Sequence, residues 1–326
     1  MVPPELAGID FITIANWGGT TNDAMVEAWA RPFTERTGIE VRTAQIDYGK
    51  WVQQIRSGNI EWNWADVEDT WVVGHGDLLD PISPEEVNLN PADLVDPNTL
   101  LPKAIPEYLW CYAIGYRTDS ELEHPRTWVD FFDVKRFPGR RSIYNWPVAM
   151  VEIALLGDGV PFDQLYPLDL DRAFSKIDSI RDHLVFWNTG AELQQQLVSG
   201  AADFVAGWDN RVNLLRRAGQ PVAVDYNENI RQVDYFVLPK GDPKQPATIE
   251  FFKVALEPDR QADFCFRSGG LGPVTTSGFQ AVEETWKPFV SSNPDNVAVS
   301  VGAVNAEWWG SRLDQITTKW YEFVGA

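Results

Sequence analysis

The chain has 326 residues, of which 44% are hydrophobic and 23% are charged, and this length is sufficient for two hydrophobic cores. Its formal net charge is -20 at pH 7, a field that disfavours nucleic acid and anionic membranes as partners. No apolar stretch approaches the ~18 residues that a membrane-spanning helix needs. The acidity therefore indicates either an ordinary solvated surface or a preference for a cationic ligand.

The cysteines and histidines give no pattern of a metal site. Cys111 and Cys265 both lie in apolar or aromatic runs, which favours buried free thiols over a disulfide. No CxxC motif or His/Cys cluster occurs, so we expect neither a metal nor another cofactor. The beginning, MVPPELAGID, lacks a signal-peptide pattern, so an exported protein of this sequence would have lost its signal.

Strand and helix signals alternate through the first part of the chain. Met25, Trp29 and Phe33 recur at helical spacing, and Gly38 follows where that helix is expected to end. The predicted elements are a strand at 11–15, a helix at 24–36, a strand at 39–42, a helix at 48–57, and a short buried strand followed by a loop within 64–73. This β-α-β-α order predicts a largely parallel sheet with helices on both faces.

A second α/β stretch follows the long aromatic run EYLWCYAIGYRTD at 107–119. Its predicted elements are helices within 125–134, before 160, at 170–184 and within 191–222, a strand at 233–243, a mostly helical segment at 248–270 and a final helix at 306–324. Two extended runs, near 111–116 and 230–236, are suited to carry the chain between two lobes. Two lobes joined by hinge strands enclose a cleft, and ligand sites favour such domain interfaces.

An ordered set of motifs makes the prediction more specific. In chain order they are WGG, TGIEV, WADVEDTWVVGHGDLLDPI, IGYRTD, PRTWVDFFD, EIALLGDGV, LYPLDLDRAF, QLVSGAADFVAGWDNR and GGLGPV. Together, over roughly residues 10–325, they resemble the solute-binding proteins of bacterial ABC importers, in the branch that includes spermidine/putrescine binders. No single motif carries this resemblance, whereas the ordered set does.

The resemblance implies an α/β, two-lobed periplasmic-binding-protein fold of type II, with two crossover hinge strands and a mixed, largely parallel sheet flanked by helices in each lobe. It places lobe 1 at 1–112 plus 236–285 and lobe 2 at 113–235 plus 286–326, with the ligand cleft between them. It further implies a monomer in the periplasm or on the cell-envelope exterior. Such a protein closes around a small-molecule solute, delivers it to ABC transporter permease subunits, and binds no nucleic acid.

Candidate ligand residues of lobe 1 follow the first strand. Trp17 is expected to be a pocket wall, or else a staple for the next helix, and Gly18 and Gly19 let a ligand approach the backbone closely. Thr20 offers either a hydroxyl for the ligand or a cap for the helix, and its neighbour Thr21 leaves the same choice open.

Three further candidates are Asp69 and Trp71 of lobe 1 and Asp234 at the second hinge. The resemblance places a pocket aromatic near Trp71, and Asp69 is either a ligand contact or a solvated loop residue. In polyamine binders an aspartate at the second hinge holds an ammonium group, and Asp234 occupies that place. A buried carboxylate needs such a partner, or a nearby arginine such as Arg231.

Lobe 2 contributes five candidates: Trp146, Thr189, Trp208, Arg211 and Trp309. The resemblance makes Trp208 a pocket aromatic and Trp309 a far wall, while Thr189 offers a hydroxyl. Arg211 either grips a ligand carboxylate in a bidentate manner or bridges to an acidic side chain of the protein.

The resemblance also narrows the ligand. Polyamine binders carry acidic residues near the start of the helix after YNW, where this chain has Trp146 and Ala149, so we expect a polyamine-like solute with one amine, or a zwitterion. A sugar-like or carboxylate solute on the same fold is the alternative. An enzyme is the rival class, but no GxSxG, HExxH, P-loop or complete dinucleotide fingerprint occurs, and we predict that the chain is not an enzyme.

Overall fold

A computed structural model describes residues 4–325 of the chain. The chain forms two compact units: unit 1 contains the residues up to Leu109 and Val233–Ser292, and unit 2 contains Trp110–Gln232 and the residues from Asn293 onward. The predicted lobe limits at 112/113, 235/236 and 285/286 stay predictions. Residues 1–3 and 326 lie outside the described residues. They include the outer limits of the two predicted lobes and the first residues of MVPPELAGID.

Unit 1 is a mixed α/β unit. Its elements are β1 (Phe11–Asn16), α1 (Gly19–Met25), a π-helical turn (Val26–Ala30), α2 (Arg31–Thr37), β2 (Glu40–Gln45), α3 (Tyr48–Ser57), β3 (Trp64–Ala65), β4 (Val67–Glu68), α4 (Asp69–Gly74) and β5 (Leu79–Asp80). Strands β2, β1 and β3 lie side by side in that order and run parallel, with Ile14 opposite Trp64. The predicted β-α-β order is confirmed here.

Two long strands cross the limits between the units. They are β6 (Ala104–Arg117) and β10 (Val222–Pro239), which contain the extended runs predicted near 111–116 and 230–236. Within unit 1, β10 pairs antiparallel with β4, which places Asp234 opposite Glu68, and with β5. This pairing brings residues separated by more than 150 positions to the same short stretch of sheet.

Aromatic packing builds the core of unit 1. Trp29 contacts Phe236, Phe251 and Phe264, with ring centroids 5.8, 6.5 and 4.0 Å away, so the predicted apolar helix face is buried as expected. The unit is completed by the helices α10 (Gln245–Ala255), α11 (Pro258–Ser268) and α12 (Thr276–Ala281).

The structure corrects two predicted boundaries in unit 1. The first helix begins at Gly19 rather than at residue 24, because Gly18, with φ 72° and ψ -171°, turns the chain directly out of the strand. No side chain caps this helix, so Thr20 and Thr21 lie within α1 and not at its cap. The loop predicted after the short strand is instead the helix α4, which starts at Asp69.

Unit 2 is a second mixed α/β unit. Its further elements are α5 (Trp128–Phe132), β7 (Arg141–Tyr144), α6 (Met150–Gly157), α7 (Leu170–Asp178), β8 (Leu184–Trp187), α8 (Gly190–Ser199), β9 (Phe204–Trp208), α9 (Asp209–Arg217), α13 (Pro294–Ala298), β11 (Gly302–Ala303), α14 (Ala306–Gly310) and α15 (Leu313–Val324). Strand β9 pairs antiparallel with β6 and parallel with β7, and β7 pairs parallel with β8. The sheet is therefore mixed, as predicted.

Both cysteines are buried and neither forms a disulfide, which confirms the prediction of free thiols. Within residues 4–325, no helix combines the length and the apolar character that a membrane crossing requires.

Candidate functional site

Unit 1 gathers four carboxyl groups, three of which lie around Tyr108. The Tyr108 hydroxyl lies 2.9 Å from Asp66 Oδ2 and 2.8 Å from Asp234 Oδ2. Asp66, Glu107 and Asp234 are 0%, 1% and 2% exposed, and Glu68 is half-buried. We call Asp66, Glu68, Glu107 and Asp234 the acid cluster.

Strand pairing explains how the acid cluster forms. Asp66 directly follows β3, and its backbone N–H donates to the Ala15 carbonyl of β1, so it lies at the carboxyl end of the parallel strands. Glu68 lies in β4 opposite Asp234 of β10, and Glu107 and Tyr108 are consecutive in β6. Carboxyl ends of parallel strands are the usual position of a ligand site in α/β sheets.

Burial dominates the electrostatics of the acid cluster. Burial raises the pKa of Asp66 and of Glu107 well above the ordinary carboxyl range. The charges of Glu107 and Asp234 add to the rise for Asp66; the charge of Asp234 adds to the rise for Glu107, which Asp66 opposes. Burial likewise raises the pKa of Glu68, with contributions from Asp234 and Asp69. Neutral forms are therefore favoured in a part of the molecule where an uncompensated charge is costly.

No basic side chain of the described residues forms an ion pair with Asp66, Glu68 or Glu107. Asp66 Oδ1 lacks a hydrogen-bond partner among the described atoms. The oxygens of Glu107 also fall outside hydrogen-bond geometry, although Asp66 lies near enough to affect the pKa of Glu107. This arrangement is chemically suited to receive a cation.

Trp17 joins the acid cluster directly. Its indole Nε1 donates to Asp234 Oδ2 over 3.3 Å, and its half-buried ring meets the edge of Tyr48 at 5.8 Å. Tyr48 lies in turn 5.8 Å from Trp71, which stacks on Trp51 at 4.9 Å. The structure thus brings Trp17 and Asp234 together, whereas Trp71, at 3% exposed, lies behind Tyr48 in the aromatic core.

The turn before α1 presents backbone at the end of β1. The Gly18 N–H donates to Asn16 Oδ1 over 2.8 Å, and both Gly18 and Gly19 have positive φ angles, 72° and 56°. Gly19 is exposed and Thr20 is half-buried. These positions are compatible with a ligand near the turn, and their contact with a ligand stays a prediction.

Asp69 begins α4, next to the acid cluster. Its Oδ1 accepts from the N–H of Thr70 over 2.6 Å, and its negative charge contributes to the raised pKa of Glu68. A direct ligand contact by Asp69 stays a prediction.

In unit 2, Trp208 lies in a group of aromatic rings. Its ring centroid is 4.8 Å from Trp187, 5.1 Å from Tyr144 and 6.1 Å from Trp110, each in an edge-on arrangement. Trp208 ends β9 and remains half-buried, and its Nε1 has no hydrogen-bond partner among the described atoms. The partly open ring and unsatisfied donor are suited to a ligand, and this role stays a prediction.

The helix after Trp208 carries Asp209 and Arg211. Asp209 Oδ1 accepts from the Cys111 N–H over 3.3 Å, and Oδ2 accepts from the Tyr226 hydroxyl over 3.3 Å. Burial raises the pKa of Asp209 to about 7, although these hydrogen bonds oppose the rise. Arg211 is 9% exposed, and a Cβ at Gly190 would lie 2.6 Å from its Nε, so the glycine leaves room for the guanidinium group.

The other unit 2 candidates differ in their surroundings. Thr189 caps α8, because its hydroxyl accepts from the Glu192 N–H over 3.2 Å, and Trp146 is half-buried in the segment before α6. Trp309 is fully buried and its Nε1 donates to Glu152 Oε1 over 2.6 Å, an oxygen that also accepts from Tyr166. These contacts favour structural roles for Thr189 and Trp309, and no observation tests their ligand roles.

Sequence reasoning did not select Glu107 and Tyr108 as site residues. One signal was present: Glu107 is a charged residue inside the apolar run AIPEYLWCYAI, and a buried acid in such a run needs an explanation. Asp66 and Glu68 were visible only as neighbouring acids. Among residues 4–325, no group of histidine, cysteine and acidic residues is arranged to hold a metal ion.

The family model of bacterial extracellular solute-binding proteins matches residues 28–296. This chain belongs to that family. Its α/β, two-lobed periplasmic-binding-protein fold class and the resemblance stated from the sequence are thereby confirmed.

Relatives of this solute-binding protein cover nearly its whole length. A gamma-aminobutyric acid-binding protein of Pseudomonas aeruginosa is 26% identical over 321 residues, which cover 95% of this chain and 90% of the relative. A solved GABA receptor structure, Atu4243, is 33% identical with a TM-score of 0.87, covering 96% of this chain and 97% of its own. An ABC transporter substrate-binding protein from Bradyrhizobium japonicum USDA 110 is 28% identical with a TM-score of 0.86, covering 96% and 99%. The chain is thus a solute-binding protein of the ABC-transporter class.

Proposed function

We propose that this protein captures a small solute with one ammonium group, a mono-amine or a zwitterion, for delivery to the permease of an ABC importer outside the cytoplasmic membrane. The ammonium group lies against Asp234 and the ring of Trp17. No cofactor takes part, and the protein acts as a monomer.

The acid cluster carries this proposal. Asp66, Glu68 and Glu107 lie near Asp234, and none of these three forms an ion pair with a lysine or arginine of the described residues. Buried acids of this kind are retained when a cation compensates them, and a solute ammonium group supplies that cation. The indole of Trp17 provides a π-face for the same cation.

The relatives support an amine with a carboxylate at the other end. GABA, named for the Pseudomonas aeruginosa protein and for the Atu4243 receptor, is such a zwitterion. In unit 2, buried Arg211 is the proposed partner of a solute carboxylate. Trp146 and Ala149 stand where polyamine binders have acids, which favours one amine over two.

Calorimetry tests the proposal with four probes: 4-aminobutyrate, putrescine, butyrate and glucose. We expect 4-aminobutyrate to bind and to raise the melting temperature, since a ligand at 100 times its Kd stabilises the native state by about 2.7 kcal/mol. Binding of butyrate or glucose alone would refute the amine site and favour the carboxylate or sugar alternative.

Asp234→Asn locates the amine contact. Removing one partner of a buried charge pair costs about 2–5 kcal/mol, so we expect the Kd of 4-aminobutyrate to rise roughly 30- to 4,000-fold. Asp242→Asn is the matched control, because Asp242 is also a buried unit 1 aspartate but pairs with Asn63. An unchanged Kd in Asp234→Asn would exclude Asp234 from the site.

A further inference from the structure

We infer that the acid cluster holds a proton on Asp66 in the solute-free protein and releases it to solvent when an ammonium group binds at Asp234. This inference rests on the proposed function and assigns a proton linkage to the same site. Amine capture is then coupled to pH by the protein itself.

The Tyr108 bridge requires such a proton. A phenol has one hydrogen, yet the Tyr108 hydroxyl lies within hydrogen-bond distance of both Asp66 Oδ2 and Asp234 Oδ2. Asp234 Oδ2 already accepts from Trp17 Nε1, which leaves Asp66 as the carboxyl group that can donate to the Tyr108 oxygen. The consistent arrangement is that protonated Asp66 donates to the Tyr108 oxygen, and the Tyr108 hydroxyl donates to Asp234 Oδ2.

The surroundings of Asp66 keep that proton in place. Burial raises the pKa of Asp66, and Glu107 and Asp234 raise it further. Glu68 in β4 and Asp69 in α4 add more negative charge beside Asp234.

Two tyrosines of the described residues are further titratable groups near the cluster. Tyr48 of α3 and Tyr235 of β10 are neutral phenols, since burial raises the pKa of each well above its ordinary value. Neither contributes a positive charge that would favour ionised Asp66.

A bound ammonium group reverses the balance. Its positive charge favours the ionised form of each neighbouring carboxyl group, so the O–H bond of Asp66 breaks and the proton passes to water or buffer. The solute amine, with a pKa near that of lysine, stays protonated throughout. By linkage, the affinity must then rise with pH, about tenfold per pH unit where one proton is released.

Calorimetry of the wild-type protein with 4-aminobutyrate in phosphate and in Tris buffers measures the proton count. The two buffers have different ionisation enthalpies, so the difference in binding heat gives the protons released per solute. We expect a release of about one proton or more near neutral pH, with a parallel rise in affinity as pH rises. For Asp66→Asn we expect the count to fall by about one proton and the pH dependence of the affinity to weaken accordingly. Binding heats that are equal in the two buffers for the wild type would overturn the inference.

Infrared spectroscopy of the solute-free protein gives a readout that needs no ligand. We expect protonated-carboxyl absorption near neutral pH from several buried acids, and we expect Asp66→Asn to reduce it by the contribution of one group. Asp158→Asn should leave the absorption in place, because Arg172 lowers the pKa of Asp158 and keeps it ionised. If the spectrum of Asp66→Asn is the same as that of the wild type, the inference is overturned. If the absorption of Asp66 is present but neither 4-aminobutyrate nor putrescine binds, the proposed function fails, and the coupling inferred from it fails with it.

Discussion

Asp209 offers a quantitative test of the electrostatics of unit 2. Burial raises its pKa from 3.8 to about 7. At 1.36 kcal/mol per pKa unit, this difference corresponds to about 4 kcal/mol between the two protonation states. Because the folded-state pKa is the higher one, the stability from protonated Asp209 is fully present below about pH 4 and is lost as pH rises to about 7.

Asp209→Asn removes this titration and keeps the shape of the side chain. We expect the free energy of unfolding of the variant, relative to wild type, to increase by up to about 4 kcal/mol between about pH 4 and 7 and then to stay constant. Urea unfolding, followed by circular dichroism at several pH values, measures this difference. Taking the difference between two proteins at each pH cancels the contributions of all other titrating groups.

Asp133→Asn provides a control of opposite sign. Hydrogen bonds from the backbone N–H groups of Arg136 and Lys135 lower the pKa of the exposed Asp133. Its contribution is therefore present above the ordinary carboxyl pKa and lost as pH falls. A difference between wild type and Asp209→Asn that does not change between pH 4 and 7 would refute the argument for Asp209.

Three further substitutions test individual side chains. Trp208→Ala should weaken solute binding by about 0.5–2 kcal/mol, roughly 2- to 30-fold in Kd, because it removes an aromatic surface. A Kd equal to that of the wild type in calorimetry would exclude Trp208 from the site. Trp309→Phe should lower the free energy of unfolding by about 1–3 kcal/mol, because Glu152 loses its indole donor; a change of Kd without loss of stability would instead place Trp309 at the ligand. Gly18→Ala should cost about 1–2 kcal/mol because φ is 72°, and an unchanged melting temperature would contradict this.

Periodicity in the sequence predicted the regular elements well. The helix predicted at 48–57 has the same limits in the structure, where Asp47 caps its beginning and Gly58 ends it in a left-handed conformation. The start of the first helix was predicted too late, because polar residues such as Asn22 and Asp23 are typical of caps but lie inside the helix here. Helix α4 was missed because six residues are too few to show a helical period.

The candidate site was less accessible to sequence reasoning because it depends on strand register. Trp17 and Asp234 were each selected from the sequence, but their hydrogen bond joins residues 217 positions apart. Glu107 and Tyr108 belong to an apolar strand in which side-chain contacts follow from its tertiary neighbours. Hydrophobic pattern alone does not distinguish an aromatic wall from an aromatic core, as fully buried Trp309 illustrates.

The acid cluster also has a consequence for stability. Asp66, Glu68 and Glu107 weaken the solute-free fold as pH rises, because their raised pKa values mean that the unfolded chain loses its protons first. A bound ammonium group removes that penalty by compensating the charge. Part of the apparent affinity for an amine is then the relief of repulsion between the carboxyl groups of unit 1. A solute that lacks a positive charge does not relieve this repulsion and gains no affinity from it. Under the proposed function, selectivity for amines follows from the solute-free protein as much as from contacts with the solute.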